Sequence, residues 1–151
     1  MALGGTVVGK APAGKNINST ASTNNSLYKN LFPKDAFFLQ KVPRELIKDS
    51  NGRYWLKSEN GRLITPSGKY EYVTLGNGKI MVVRPNSNTT DFSTHLGLSK
   101  GQDVKYAGGI RFHDNQGSSR GEIKEWNNES GHYKPSAIDA KNSGLPLNKF
   151  K

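Results

Sequence analysis

Three histidines stand in a chain of 151 residues that has no cysteine. Near neutral pH an imidazole is the side chain best suited to moving protons. His95 lies in the polar stretch STHLGLSKG, His113 closes the run GIRFH, and His132 lies in SGHYKP beside Lys134. Two imidazoles, or an imidazole and a carboxylate, can cleave RNA without a metal when cations stand nearby. The substrate supplies its own nucleophile, the 2′-hydroxyl. The protein must supply a base for that proton, an acid for the departing 5′-oxygen, and positive charge for the phosphorane. On this reading His95 and His132 are base and acid, with Glu122 as a reserve base. Lys124, Lys134 and Arg111 stabilise charge, and Thr94, Ser130 and Tyr133 place hydrogen bonds on phosphate or ribose. The reaction calls for no cofactor and no metal ligand set.

Other chemistries fit less of the inventory. Glu122-Ile-Lys124 on a strand, with Asp103 or Asp114 upstream, has the order used by metal-dependent nuclease cores, where carboxylates hold a divalent ion and a Lys polarises phosphate or water. No HxxxH, HExxH or DxDxDG spacing occurs, which argues against a zincin or an EF-hand. An NAD-consuming or ADP-ribosylating site lacks its Arg, S-x-S and E-x-E set. The non-enzymatic alternative is a basic RNA-binding module, and the aromatics set among basic residues, such as Tyr54, Trp55 and Tyr72, suit base stacking as well as a core.

Charge supports a polyanionic partner. Lys and Arg number 22 against 12 Asp and Glu, a net +10, which attracts nucleic acid or an acidic protein. The absence of cysteine removes disulfide scaffolds and thiolate zinc sites. No apolar run approaches the ~20 residues of a membrane span, and stable membrane insertion is not expected.

The elements that position these residues follow from composition and period. Residues 1–30 hold three Lys, no acid and many Gly, Ala, Ser, Thr and Asn, which predicts a flexible leader. Residues 31–151 are expected to form one catalytic domain. Pro33 and Pro43 predict short helices over Phe37–Leu39 and Arg44–Lys48. From Arg53 the period becomes two: RYWLKS, GRLITP, KYEYVTL, KIMVVRP, VKYAGGIRFH and GEIKEW are short strands separated by Gly, Asn and Pro turns. Residues 86–103 read as a long polar loop, and a further short strand is expected near His132. The predicted fold class is α+β, with short N-terminal helices packed on a small antiparallel sheet.

HLGLSKGQDVKYAGGIRF followed by GEIKEWNNESGHYKPS, together Thr94 to Ser136 with the preceding residue, resembles the C-terminal toxin domains of bacterial polymorphic toxins, the variable tips of contact-dependent inhibition and Rhs-type effectors. The resemblance implies His95 and His132 as matched motif residues, with Ser130, Gly131 and Tyr133 beside the second. It also implies a toxin, in many such tips a nuclease cleaving tRNA, delivered by the producing bacterium into the cytoplasm of a target cell. A cognate immunity protein, expected to be acidic, would neutralise it.

Overall fold

The computed structural model describes residues 26–151. The expected leader lies outside the described residues as far as residue 25. Its last part does not: Tyr28 bridges Val104 and exchanges two backbone hydrogen bonds with it, of 2.6 and 3.0 Å.

Seven strands form one antiparallel sheet: β1 Arg44–Lys48, β2 Tyr54–Lys57, β3 Leu63–Ile64, β4 Gly68–Leu75, β5 Ile80–Val83, β6 Val104–Phe112 and β7 Ile123–Trp126, in the order β3-β2-β1-β5-β4-β6-β7. The fold is therefore dominated by its sheet. One short α-helix, α1 (Thr94–Ser99), and two 3-10 segments, Ala137–Ser143 and Leu147–Lys149, complete the regular structure among the described residues.

The expected N-terminal helices are not formed. Residues 31–43 are irregular, and Arg44–Lys48 is a strand between β2 and β5. Five residues carry too few periods to separate a helix from a strand. Pairing on both sides decides for the strand, because it places Leu46 in the core against Leu56 and Ile80. The polar loop after β5 contains α1, capped by Ser93, whose Oγ accepts a hydrogen bond from Leu96 N at 3.2 Å. Such a short helix is stable only through what it buries, here Leu96 and Leu98. The chain around His132 is a turn, not a strand.

The sheet carries a core on each face. Tyr70, Tyr72, Val82, Tyr106, Ile110, Phe112 and Trp126 pack with Ala140 and Leu145 of the C-terminal segment. That segment is tied down by polar contacts: Thr74 Oγ1 donates to the Ser143 carbonyl at 2.7 Å, Tyr106 OH to Ser136 O at 2.7 Å, and Trp126 Nε1 to Pro146 O at 2.6 Å. The opposite face packs Val73, Val83 and Ala107 against Leu96 and Leu98 of α1 and against Tyr133. Strand alternation assigns the sides. In β4, Tyr70 and Tyr72 go to the first face, which leaves Lys69, Glu71 and Val73 on the face that α1 covers.

Candidate acid-base site beneath the short helix

Glu71 is an acid in the middle of the central strand, opposite Gly109 of β6 and Val83 of β5. A carboxyl there is costly unless something engages it, and the groups around it are specific. His95, from the first turn of α1, brings its Nε2 to 3.4 Å from Glu71 Oε1 and 2.9 Å from the Gly108 carbonyl oxygen. A carbonyl can only accept, so Nε2 carries the proton and donates it to Gly108, leaving Nδ1 as the acceptor of the ring. The tautomer is fixed by the backbone of β6.

The two glycines of YAGGIRF explain how three chain segments converge here. A Cβ on Gly108 would lie 2.0 Å from the Asn127 carbonyl oxygen, and one on Gly109 would lie 3.4 Å from both Glu71 Oε2 and the Asn127 amide. Their absence lets the chain leaving β7 close over β6. Asn127 Oδ1 accepts from Gly109 N at 2.8 Å, and Asn127 N donates to Gly109 O at 2.9 Å. Lys69 and Arg111 face each other in register, with Glu125 opposite Arg111 on the far side. Together with Gly109 and Asn127 they border a small groove of about 70 Å³.

Burial sets the protonation of the pair. Desolvation pushes the Glu71 carboxyl up to about 7, opposed by the Lys69 charge and reinforced by Glu129. Desolvation also holds His95 down, at about 4, partly offset by its hydrogen bond to Gly108 and reinforced by the charge of His132. At neutral pH the imidazole is therefore neutral and the carboxyl is poised between its two forms. The contact is a 3.4 Å approach of a neutral imidazole to a carboxyl, not an ion pair. Glu71 keeps 20% of its side chain exposed while His95 keeps 7%, so the carboxyl is the member of the pair that a substrate reaches more easily.

Comparison with protein-family models, with curated proteins and with solved structures returns no match.

The structure does not bring the residues singled out by sequence into one site. His95 and Arg111 belong to the Glu71 cluster. Thr94 opens α1, and its Oγ1 accepts from Asn86 N at 2.8 Å. Ser130, His132, Tyr133 and Lys134 form a turn whose Lys134 N donates to Ser130 O at 2.7 Å. Within it Tyr133 is a core residue, its hydroxyl engaged by Ser99 and by the Gln102 carbonyl. His132 Nε2 meets Asp35 Oδ2 at 3.0 Å, and its ring lies edge-on to Phe32. Ser130 Oγ is buried without a hydrogen-bond partner among the described residues, and Lys134 sits in the left-handed region at φ 46°, a conformation that costs a non-glycine residue about 1–2 kcal/mol. Lys124 and Glu122 are exposed. Lys124 occupies the register shift between the Arg111–Glu125 and Phe112–Ile123 pairs, and Glu122 borders a separate, larger cleft. Among the described residues no three of His, Asp and Glu gather as a metal site.

Sequence reasoning missed Glu71. KYEYVTL sets one acid between two aromatics, but nothing local to that strand marks the acid as desolvated.

A pH dependence of stability follows from the pair. Glu71 binds its proton more tightly in the folded chain, at about 7 against 4.5 for the free side chain. Its contribution is therefore fully present below pH 4.5 and lost as pH rises through about 7. His95 acts in the opposite sense, losing stability as pH falls from 6.5 towards about 4. The wild type masks one effect with the other. Glu71→Gln keeps the neutral form at all pH values, so its stability relative to wild type should rise by on the order of 2 kcal/mol across the Glu71 window. Urea unfolding of both proteins at the two ends of that window checks this, and a constant difference would refute the assigned shift.

Proposed function

We propose that this chain is a metal-independent ribonuclease, a toxin domain of the polymorphic-toxin type acting on tRNA or other cytosolic RNA. The observation that carries the reading is the Glu71 carboxyl, held near neutrality beside His95 with Lys69 and Arg111 on the same face of the sheet. A base of that strength is matched to removing a 2′-hydroxyl proton at physiological pH. Lys69 and Arg111 offer charge to the phosphate as the 2′-oxygen attacks phosphorus and the 5′-oxygen departs. His95 packs against the carboxyl while its Nε2–H is held by the Gly108 carbonyl, and its low proton affinity removes it from the role of a cationic acid. The proton for the departing 5′-oxygen is assigned to His132, the second motif residue of the resemblance.

The toxin part of the reading rests on the resemblance over Thr94–Ser136, which spans α1, β6, β7 and the His132 turn. Its partner would be an acidic immunity protein, and its site of action the cytoplasm of the target cell. No helix among the described residues is long and apolar enough to cross a membrane.

The test is to incubate the protein with total tRNA, with and without EDTA. The expected result is EDTA-resistant cleavage leaving 2′,3′-cyclic phosphate ends, the mark of attack by the 2′-hydroxyl. Intact RNA in both samples, or cleavage abolished by EDTA, would overturn the proposal.

A further inference from the structure

A cleft of about 620 Å³ opens between three turns that are distant in sequence: Asn51–Tyr54 after β1, Ser118–Ile123 before β7, and Pro146–Lys149 near the C-terminus. Its inner wall holds Tyr54 and Ile123, which pack with the Tyr70–Trp126 core on the side of the sheet away from Glu71, while Arg53, stacked on Trp55, whose ring alternates to the other side of β2, closes its rim. Its volume lies in the ordinary range for small-ligand sites, about 300–1,000 Å³.

The charges around it are unbalanced and held in place. Three cationic residues, Arg53, Arg120 and Lys149, line it together with a single acid, Glu122. Arg53 stacks on the Trp55 ring at 3.9 Å and donates from Nη2 to Thr65 Oγ1 at 3.0 Å. The turn that carries it is fixed by Asp49, whose Oδ1 accepts from Asn51 N and Arg53 N and whose Oδ2 accepts from Trp55 Nε1. Arg120 donates from Nη1 to the Asp114 carbonyl at 2.9 Å, and the turn continues through Gly121 at φ 88°, where a Cβ would meet Thr65 at 2.8 Å. Each guanidinium has five N–H donors, so both retain donors beyond these internal contacts. Oriented guanidiniums match phosphate geometry. Half-buried Tyr54 offers a ring, and Asn51, Asn148 and Ser118 bring amide and hydroxyl groups of the kind that read a base or ribose.

We propose that this cleft is a second RNA-binding site, taking a nucleotide of the substrate chain remote from the scissile phosphate. It rests on the ribonuclease reading for its choice of polyanion, and it adds an anchoring surface to the small groove beside Lys69 and Arg111. RNA on both faces of the sheet would let the protein select its substrate by shape as well as by the site of cleavage.

Binding of a fluorescent, uncleavable 2′-O-methyl oligoribonucleotide to the full chain tests it by anisotropy, across a salt series. In Arg53→Gln/Arg120→Gln/Lys149→Gln the dissociation constant should rise at least about tenfold, and the slope of log affinity on log salt should flatten by about 2, from about 0.7 per lost phosphate contact. Asn148→Glu, which disturbs none of the fixed contacts above, should weaken binding in the same direction if the triple variant fails to fold. Unchanged affinity and slope in the folded variants would overturn the proposal, as would a wild-type chain that does not bind. A nucleoside monophosphate that competes as tightly as the oligonucleotide would also overturn it, making the ligand a free nucleotide. Cleavage is scored separately: variants that bind normally while wild type cuts tRNA sink only the cleft, and cleft-dependent binding without cleavage sinks only the ribonuclease.

Discussion

Glu71→Gln should lower RNA cleavage by about 10²–10⁴-fold, the usual contribution of a positioned general base, while the uncleavable oligonucleotide binds as before. The amide is nearly isosteric and neutral, so it preserves the packing under α1 and keeps an oxygen near His95 Nε2–H. It cannot accept the 2′-hydroxyl proton. In the wild type, log kcat/KM should rise with pH and level off near 7, where burial has moved the carboxyl, and that limb should vanish in the variant. Single-turnover rates over a pH series, with end-group analysis of the fragments, measure both. If Glu71→Gln cuts at the wild-type rate with an unchanged profile, the base lies elsewhere and the proposal fails at its centre. Replacing His95 is a poorer test, because a truncated His95 opens a cavity in the core under α1 and frees the Gly108 carbonyl, mixing stability with chemistry.

Gly108→Ala is expected to cost about 3 kcal/mol or more of stability, towards the upper range for forcing an atom into a filled interior. The added methyl would stand 2.0 Å from the Asn127 carbonyl oxygen, 2.7 Å from its carbon and 3.0 Å from Asn128 Cα. All three are backbone, so no side chain can rotate away. The crossing chain is also held, because Asn127 N donates to Gly109 O at 2.9 Å and Tyr72 OH donates to Asn127 O at 2.9 Å. Relief requires parting β6 from the chain after β7, which would shift the carbonyl that fixes His95. Gly131→Ala is the matched control, since nothing lies within 4 Å of its Cβ position, and it should change stability by less than about 0.5 kcal/mol. Denaturant unfolding of the two variants compares them. Equal stabilities would mean that the β6–Asn127 crossing is looser than its hydrogen bonds indicate.

Much of the sheet is legible in the amino-acid sequence. KYEYVTL, KIMVVRP, VKYAGGIRFH and GEIKEW alternate between faces and are bounded by turn residues, and each contains a strand in the fold. The Gly-Asn-Gly at 76–78 joins β4 to β5, and the Asp114–Ser119 turn joins β6 to β7. These signals are local, because a two-residue period and a left-handed turn are properties of a few adjacent residues. RELIK is the instructive exception. After a proline, its short mixture of charges and aliphatics suits a helix start as well as a strand, and only two flanking strands with unpaired edges choose between them.

The candidate site divides along the same line. The sequence by itself determined that proton-moving side chains and a large excess of cations share a chain without cysteine. It named His95 and Arg111. Only the tertiary structure decided that His95 meets Glu71, twenty-four positions earlier in the chain, and that His95 is a neutral partner. The reason is physical. Proton affinity in the pair is set by desolvation, and desolvation comes from α1, β6 and the chain after β7 closing over β4. A carboxyl in a strand reads from sequence as an ordinary acid until those segments remove the water around it.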